Sequence, residues 1–368
     1  MFDSTILKNE ERISFLLRSI YSRFGYARYK MSKFEEYDLY VKNKDFLISD
    51  SIITFTDTNG KLMALKPDVT LSIIKNINDE KGSVNKFYYD ENVYRISGGT
   101  KSFKEIAQTG LECIGDIGNY EICEVVMLAI KSLELINDNF ILDIAHAGLV
   151  STIFETIGVC EKEQNEVLSY IRSKNVSQLK KMTEDNKLSS GAFELIQKLT
   201  VTYKSVADFA AAFSPYSYDK NISAALDEFT FVCNKLTVLG LMKNVNIDFS
   251  ILDDMNYYSG VLFKGYIKGL PSAVLSGGQY DKLMKKIGKK SGALGFAVYL
   301  DMFERISENK NEFDCDCLIL KDETSDVSVI LKAVNQFTEN NSTVQVHDSV
   351  PDNFKYKQIL DLREGQGS

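Results

Sequence analysis

The sequence predicts an α+β fold: an antiparallel sheet flanked by helices, a helical insertion, and a small C-terminal α/β unit. Three observations predict it. Strand-period runs with hairpin turns crowd the first 115 residues, helical periodicity fills the chain from His146 to about Leu241, and a polar break follows Ile306. Strands and helices that segregate into blocks argue for α+β rather than for a regular βαβ repeat.

Ile13, Leu16, Leu17, Ile20, Tyr21 and Phe24 recur at helical spacing, and Gly25 ends that helix. Strands at Ser51–Thr56 and Leu62–Leu65 are joined across Thr58-Asn59-Gly60, a hairpin signal. Pro67 and Asp68 open a helix to about Asn76. Strands Lys86–Ile96 and Phe103–Ile114 form a second hairpin around Ser97-Gly98-Gly99-Thr100-Lys101. A helix from about Tyr120 to Ile136 and a strand at Phe140–Ala145 follow. After the helical insertion, about 146–241, strands return at Val245–Leu252, Tyr257–Ile267 and Ala273–Ser276. Residues 305–309 read as a linker, dividing a core of residues 1–306 from a C-terminal unit of residues 312–368. That unit reads as strand Cys315–Leu320, helix Val327–Thr338 and strand Thr343–His347, before a frayed end at 364–368.

The chain has 368 residues, 44% of them hydrophobic, enough to bury a sizeable core. A net charge of −8 without a long basic block disfavours a polyphosphate partner, so no nucleic acid is expected. No apolar run is long enough to cross a bilayer and Met1–Glu10 lacks a signal-peptide layout, so a cytoplasmic protein without a membrane partner is expected. Cys113, Cys123, Cys160 and Cys233 read as small buried apolar residues, and Cys315 and Cys317 share one strand face. With only His146 and His347 to add, no metal site and no cofactor are expected.

Strand Phe103–Ile114 is the most informative segment. Alternation places Lys104, Ile106, Gln108, Gly110 and Glu112 on one face, where Gln108 and Glu112 need partners or water. Gly110 between them leaves room for something to lie against the strand. An open, solvated sheet face explains the same pattern.

The segment also carries a family resemblance. Tyr94-Arg95 followed by Gln108-Thr109-Gly110-Leu111-Glu112 resembles motif 2 of the class II histidyl-tRNA synthetases. Leu65-Lys66-Pro67-Asp68-Val69-Thr70, Tyr257-Tyr258-Ser259-Gly260 with Phe263, Gly277-Gly278-Gln279-Tyr280-Asp281 and Gly295-Phe296-Ala297 resemble further elements of that family, in order, between about Phe15 and Phe303. The resemblance implies a class II synthetase-like core with a histidine-shaped pocket. Asp68, Thr70 and Gln108 would hold the ligand's ammonium group. Glu112 and Tyr258 would face the imidazole, with Tyr257 and Tyr280 as walls. Asp68 could instead serve its helix start, and the three tyrosines could be packing residues.

The departures are equally specific. Where the family places arginines near ATP, this chain has Met302, Asp253, Ser102 and Gln279, and Ser97 stands where an acidic residue contacts the adenine side. Arg95 alone survives as a vestige of the nucleotide site. Ser32 replaces the usual proline of motif 1, which bears on the dimer contact. Adenylate formation depends on positioned cations, so this set implies lost catalysis. The profile resembles the regulatory subunits of ATP phosphoribosyltransferase, which belong to the first step of histidine biosynthesis. That resemblance implies a non-catalytic chain that pairs as a class II-type dimer and joins a short-form catalytic subunit in a hetero-octamer. L-histidine would be its feedback effector. Two alternatives are an active histidyl-tRNA synthetase, and a non-catalytic paralogue serving as amino-acid sensor or tRNA-binding module.

Overall fold

The computed structural model describes residues 7–41, 52–77, 82–96, 102–253, 257–303 and 313–363. The chain divides into two units, residues 1–306 and 307–368. The linker at 305–309, Ser51, Ser97 and the end at 364–368 lie outside the described residues.

In the first unit, α1 (Asn9–Arg23) buries Ile13, Leu17 and Tyr21 and is stopped by Gly25 at φ 82°. Short β1 (Ala27–Arg28), β2 (Phe34–Glu36) and α2 (Tyr37–Val41) follow, then β3 (Thr54–Thr56) and β4 (Leu62–Leu65). Among the described residues, β2, β4 and β3 make a small antiparallel sheet. Lys66, wholly buried at the end of β4, reaches Glu91 at 2.8 Å. Such a pair persists in the interior because each charge answers the other. α3 runs Thr70–Asn76, starting after the Pro67-Asp68 pair that the sequence reading placed at its opening, because Asp68 accepts the Leu71 N–H at 2.8 Å from ahead of the helix.

β5 (Val84–Ile96) and β6 (Phe103–Gly115) are the long hairpin, followed by α4 (Asn119–Ile136) and β7 (Phe140–His146). The helical region comprises α5 (Ala147–Ile157), α6 (Glu161–Arg172), α7 (Val176–Glu184), α8 (Ser190–Lys198), α9 (Val206–Phe213) and α10 (Lys220–Val238). His146 caps α5, its Nδ1 accepting the Leu149 N–H at 2.9 Å. β8 (Val245–Ile247), β9 (Val261–Ile267), β10 (Leu275–Gln279), α11 (Asp281–Lys286) and β11 (Gly292–Tyr299) complete the unit.

Among the described residues, eight strands form one sheet in the order β1-β5-β6-β11-β10-β9-β7-β8. The six central strands pair antiparallel, as expected from sequence, while edge strands β1 and β8 pair parallel, which makes the sheet mixed. One face carries the main core, where Leu111, Cys113 and Phe296 meet Leu17, Tyr21, Val125 and Ala129 of α1 and α4. The opposite face is a concave floor beside a smaller core of Val69, Ile73, Tyr89, Leu283 and Met284. β11 is absent from the sequence reading. The apparent strands at Tyr257 and Val245 are shorter than read: Tyr257–Gly260 lies ahead of β9, and Phe249–Ile251 forms a 3-10 turn. Cys113 and Cys233 are buried, but Cys160, which precedes α6 at its N-cap, is exposed, and Cys123 on α4 is only partly covered.

The second unit holds β12 (Cys315–Leu320), α12 (Val327–Glu339), β13 (Val344–His347) and β14 (Tyr356–Asp361). β12 lies between β13 and β14, parallel to both, with Cys315 and Cys317 buried on it. No described helix is long and apolar enough to cross a membrane.

Candidate functional site

Register fixes the floor of the site. Glu112 on β6 stands opposite Gly295 on β11, which stands opposite Gly278 on β10. One step along, Tyr89, Gly110, Ala297, Ser276 and Lys264 form the neighbouring row across β5, β6, β11, β10 and β9. Small residues in the middle of both rows leave a hollow that the larger side chains surround.

That hollow is a cavity of about 700 Å³, within the range of small-molecule sites. Asp68, Thr70, Gln108, Glu112, Tyr257, Tyr258 and Tyr280, all seven residues singled out from sequence, line it together with Arg95. Asp253 lines it too, whereas Met302 packs against the main core and is not among the lining residues. Ser102 is exposed at the start of β6, and Gln279 donates from its amide to Asp281 at 2.7 Å.

Glu112 is 2% exposed. Its Oε1 accepts the Thr70 hydroxyl at 2.6 Å and its Oε2 accepts the Tyr280 hydroxyl. Burial pushes its carboxyl up to about 8, and the nearby Asp68 charge adds to the rise against the lowering effect of the two hydroxyls. Burial also raises Asp68, opposed by the Leu71 and Thr70 backbone N–H groups and by the Arg95 charge. Two carboxyl groups thus share a poorly solvated cavity, an arrangement that a ligand cation would relieve. Gly295 is required by this arrangement, since a Cβ there would fall 1.9 Å from Glu112 Oε2.

The phenols of Tyr257, Tyr258 and Tyr280 are raised by burial and remain protonated donors. Arg95 Nε donates to the Pro67 carbonyl at 2.9 Å, which fixes the guanidinium beside Asp68. Gly110 does make room, but for a protein group: a Cβ there would meet the Tyr89 hydroxyl at 2.4 Å. Tyr89, Tyr299, Tyr266 and Lys264 also line the cavity and were missed from sequence. Alternation puts each on the cavity face, yet nothing local distinguishes a cavity wall from a solvated one.

The inner end can therefore hold a small ligand bearing an ammonium group and a ring N–H. Among the described lining residues only Arg95 and Lys264 are cationic, and Lys264 is paired with Asp253. Gathering phosphate charge needs more than that. No group of three or more potential metal ligands exists among the described residues.

Comparison with known proteins identifies the family and the fold. The family model described as histidyl-tRNA synthetase matches residues 5–303. An ATP phosphoribosyltransferase regulatory subunit from Acetivibrio thermocellus is 27% identical over 84% of this chain and 76% of its own length. The crystal structure of an ATP phosphoribosyltransferase regulatory subunit/histidyl-tRNA synthetase from Bacillus halodurans superposes with a TM-score of 0.78 at 22% identity, covering 99% of this chain and 97% of that one. A chain of the ATP phosphoribosyl transferase (HisG:HisZ) complex from Thermotoga maritima superposes with a TM-score of 0.60 at 19% identity, covering 79% and 97%. The match spans the sheet, the helical region and every cavity-lining residue, and on that ground the chain belongs to the histidyl-tRNA synthetase family.

Proposed function

We propose that this chain is the non-catalytic regulatory subunit of an ATP phosphoribosyltransferase, with catalysis in a separate short-form chain that requires it for activity. Relatives that cover most of the chain carry that name. The observation that carries the reading is the division of the cavity. Asp68, Thr70, Glu112, Tyr258 and Tyr280 line one cavity, which supports an amino-acid site, whereas Asp253 on its wall and Met302 outside it stand where the family has arginines.

L-histidine is the effector in this reading. Glu112 and Tyr258 face its imidazole, Asp68, Thr70 and Gln108 its ammonium group, and Tyr257 and Tyr280 form the walls. Binding regulates only if histidine favours one state of the assembly over another. The regulatory chains pair with each other as class II cores do and assemble with catalytic chains into a hetero-octamer. Residues 1–306 form the effector-binding core, with the helical region about 146–241 inserted in it, and residues 312–368 a separate domain.

The test is reconstitution. Short-form catalytic subunit, nearly inactive alone, should gain ATP phosphoribosyltransferase activity on addition of this chain, and L-histidine should suppress the gain. The pure chain should give no histidine-dependent ATP–pyrophosphate exchange. Exchange at a synthetase's rate would establish an amino-acid-activating enzyme instead and overturn the reading.

A further inference from the structure

The inner end of the cavity suits an ammonium group and a ring N–H, which leaves the other charged group of an amino acid, its carboxylate, without a receiver. Asp253 cannot be that receiver. It is an anion, and its side chain is 63% exposed. Its neighbour differs. Lys264 projects from β9 into the same cavity, its side chain is only 17% exposed, and its ammonium is paired with the Asp253 carboxylate. Where a cation was missing at residue 253, one is present eleven residues later.

The sheet sets the separation. Lys264 and Glu112 lie in adjacent rows on the same face, three strands apart, which is about 14 Å across the strands before side chains shorten the gap. Both side chains line the cavity, and Ser276, Gly277, Gly295 and Ala297 between them leave its floor low. Arg95 is the other cation, but its Nε is committed to Pro67 and its charge is matched by Asp68. The partner of Lys264 is instead water-exposed, so that pair is held weakly and its ammonium can accept a second carboxylate at little cost.

The geometry points to Lys264, the ion-pair partner of Asp253, as the residue that receives the carboxylate of an α-amino-acid ligand and so selects the acid over the corresponding amine. This rests on the reading that the cavity binds histidine. Lys264 replaces lost arginine charge with an ammonium that makes a charge-assisted hydrogen bond but lacks the flat fork of a guanidinium.

Calorimetric titration of the full chain with L-histidine and with histamine, which lacks the carboxylate, tests the assignment. Wild type should prefer histidine, and Lys264→Met should weaken histidine binding by roughly ten- to a hundredfold while histamine stays within about threefold. Lys264→Arg should restore most of the preference. Equal weakening of both ligands, an unchanged histidine affinity, or loss of the preference in Arg95→Met but not in Lys264→Met would each overturn the assignment and leave the histidine reading standing. Failure of folded wild type to bind either ligand would overturn both.

Discussion

Glu112 and Asp253 are carboxylates on the wall of one cavity, and they behave oppositely. Glu112 is nearly sealed, accepts two hydroxyl groups and has its carboxyl pushed up to about 8. Asp253 is mostly in water and meets a lysine. Acidity is therefore unevenly used: at the inner end burial makes a carboxyl a responsive hydrogen-bonding group, while at the outer end an exposed carboxylate pairs with a cation. Changing one and then the other separates recognition from steering.

The largest effect should come from Glu112→Ala. If Glu112 faces the imidazole as proposed, its removal should weaken histidine binding by about a hundredfold, with a parallel loss of histidine inhibition in the reconstituted enzyme. Thr70 and Tyr280 would lose their acceptor, but an expensively buried carboxyl goes with them, so thermal unfolding should stay cooperative with a midpoint within several degrees of wild type. Unchanged inhibition would place the effector elsewhere.

Gly295→Ala attacks the same end without touching a ligand-facing group. The added methyl would lie 1.9 Å from Glu112 Oε2 and 2.4 Å from the Leu111 carbonyl. Overpacking of this kind costs about 1–3 kcal/mol, measurable by denaturant titration, and should displace Glu112 enough to reduce histidine affinity as well. A fully stable variant with normal affinity would mean that the Glu112 carboxylate can sit away from β11.

The pH dependence of stability should expose the same contrast. In the folded chain Glu112 keeps its proton up to about 8, whereas in the unfolded chain it releases it near its ordinary 4.5. Between those values the folded state holds more protons, so stability is full at the acid end and falls as pH rises toward 8, by a few kcal/mol, on the order of what a shift of that size carries. Glu112→Gln should flatten that fall, leaving the slope from Asp68, whose carboxyl is raised in the same sense. Urea titrations from pH 5 to 9 would show it. A cationic ligand should also expel the Glu112 proton near neutrality, which calorimetry in buffers of different ionisation enthalpy would detect.

How far such features can be read from sequence depends on the range of the interaction that makes them. The β5–β6 hairpin was legible because alternation and its glycine-containing turn are local, and the helical character of the region after His146, though not its division into helices, was legible from its period. β11 was not. Gly292-Ala293-Leu294-Gly295-Phe296-Ala297 alternates poorly because both of its faces are enclosed, and its place between β6 and β10 is fixed by pairing with residues far away in the chain. Asp68, Thr70, Gln108, Glu112 and Tyr258 stood out only through their motifs, since period two names a face and not its depth. Tyr89 shows the limit. It fills the space that Gly110 seemed to reserve for a ligand, a contact between neighbouring strands that composition cannot announce.

The smallest effect should be that of Asp253→Asn on stability. The side chain is mostly exposed and its pair with Lys264 is screened, so unfolding free energy should move by less than about 0.5 kcal/mol. Its effect on affinity should have the opposite sign from that of Glu112→Ala. Without the competing carboxylate, Lys264 is freer to meet a ligand carboxylate, and histidine should bind about two- to threefold more tightly, the size expected of a weak surface pair. Titration calorimetry at low and high salt would separate the possibilities: a gain that shrinks with salt supports Asp253 as a rival for Lys264. A loss of affinity would mean that the carboxylate holds Lys264 in place, and that steering outweighs competition at the outer end of the cavity.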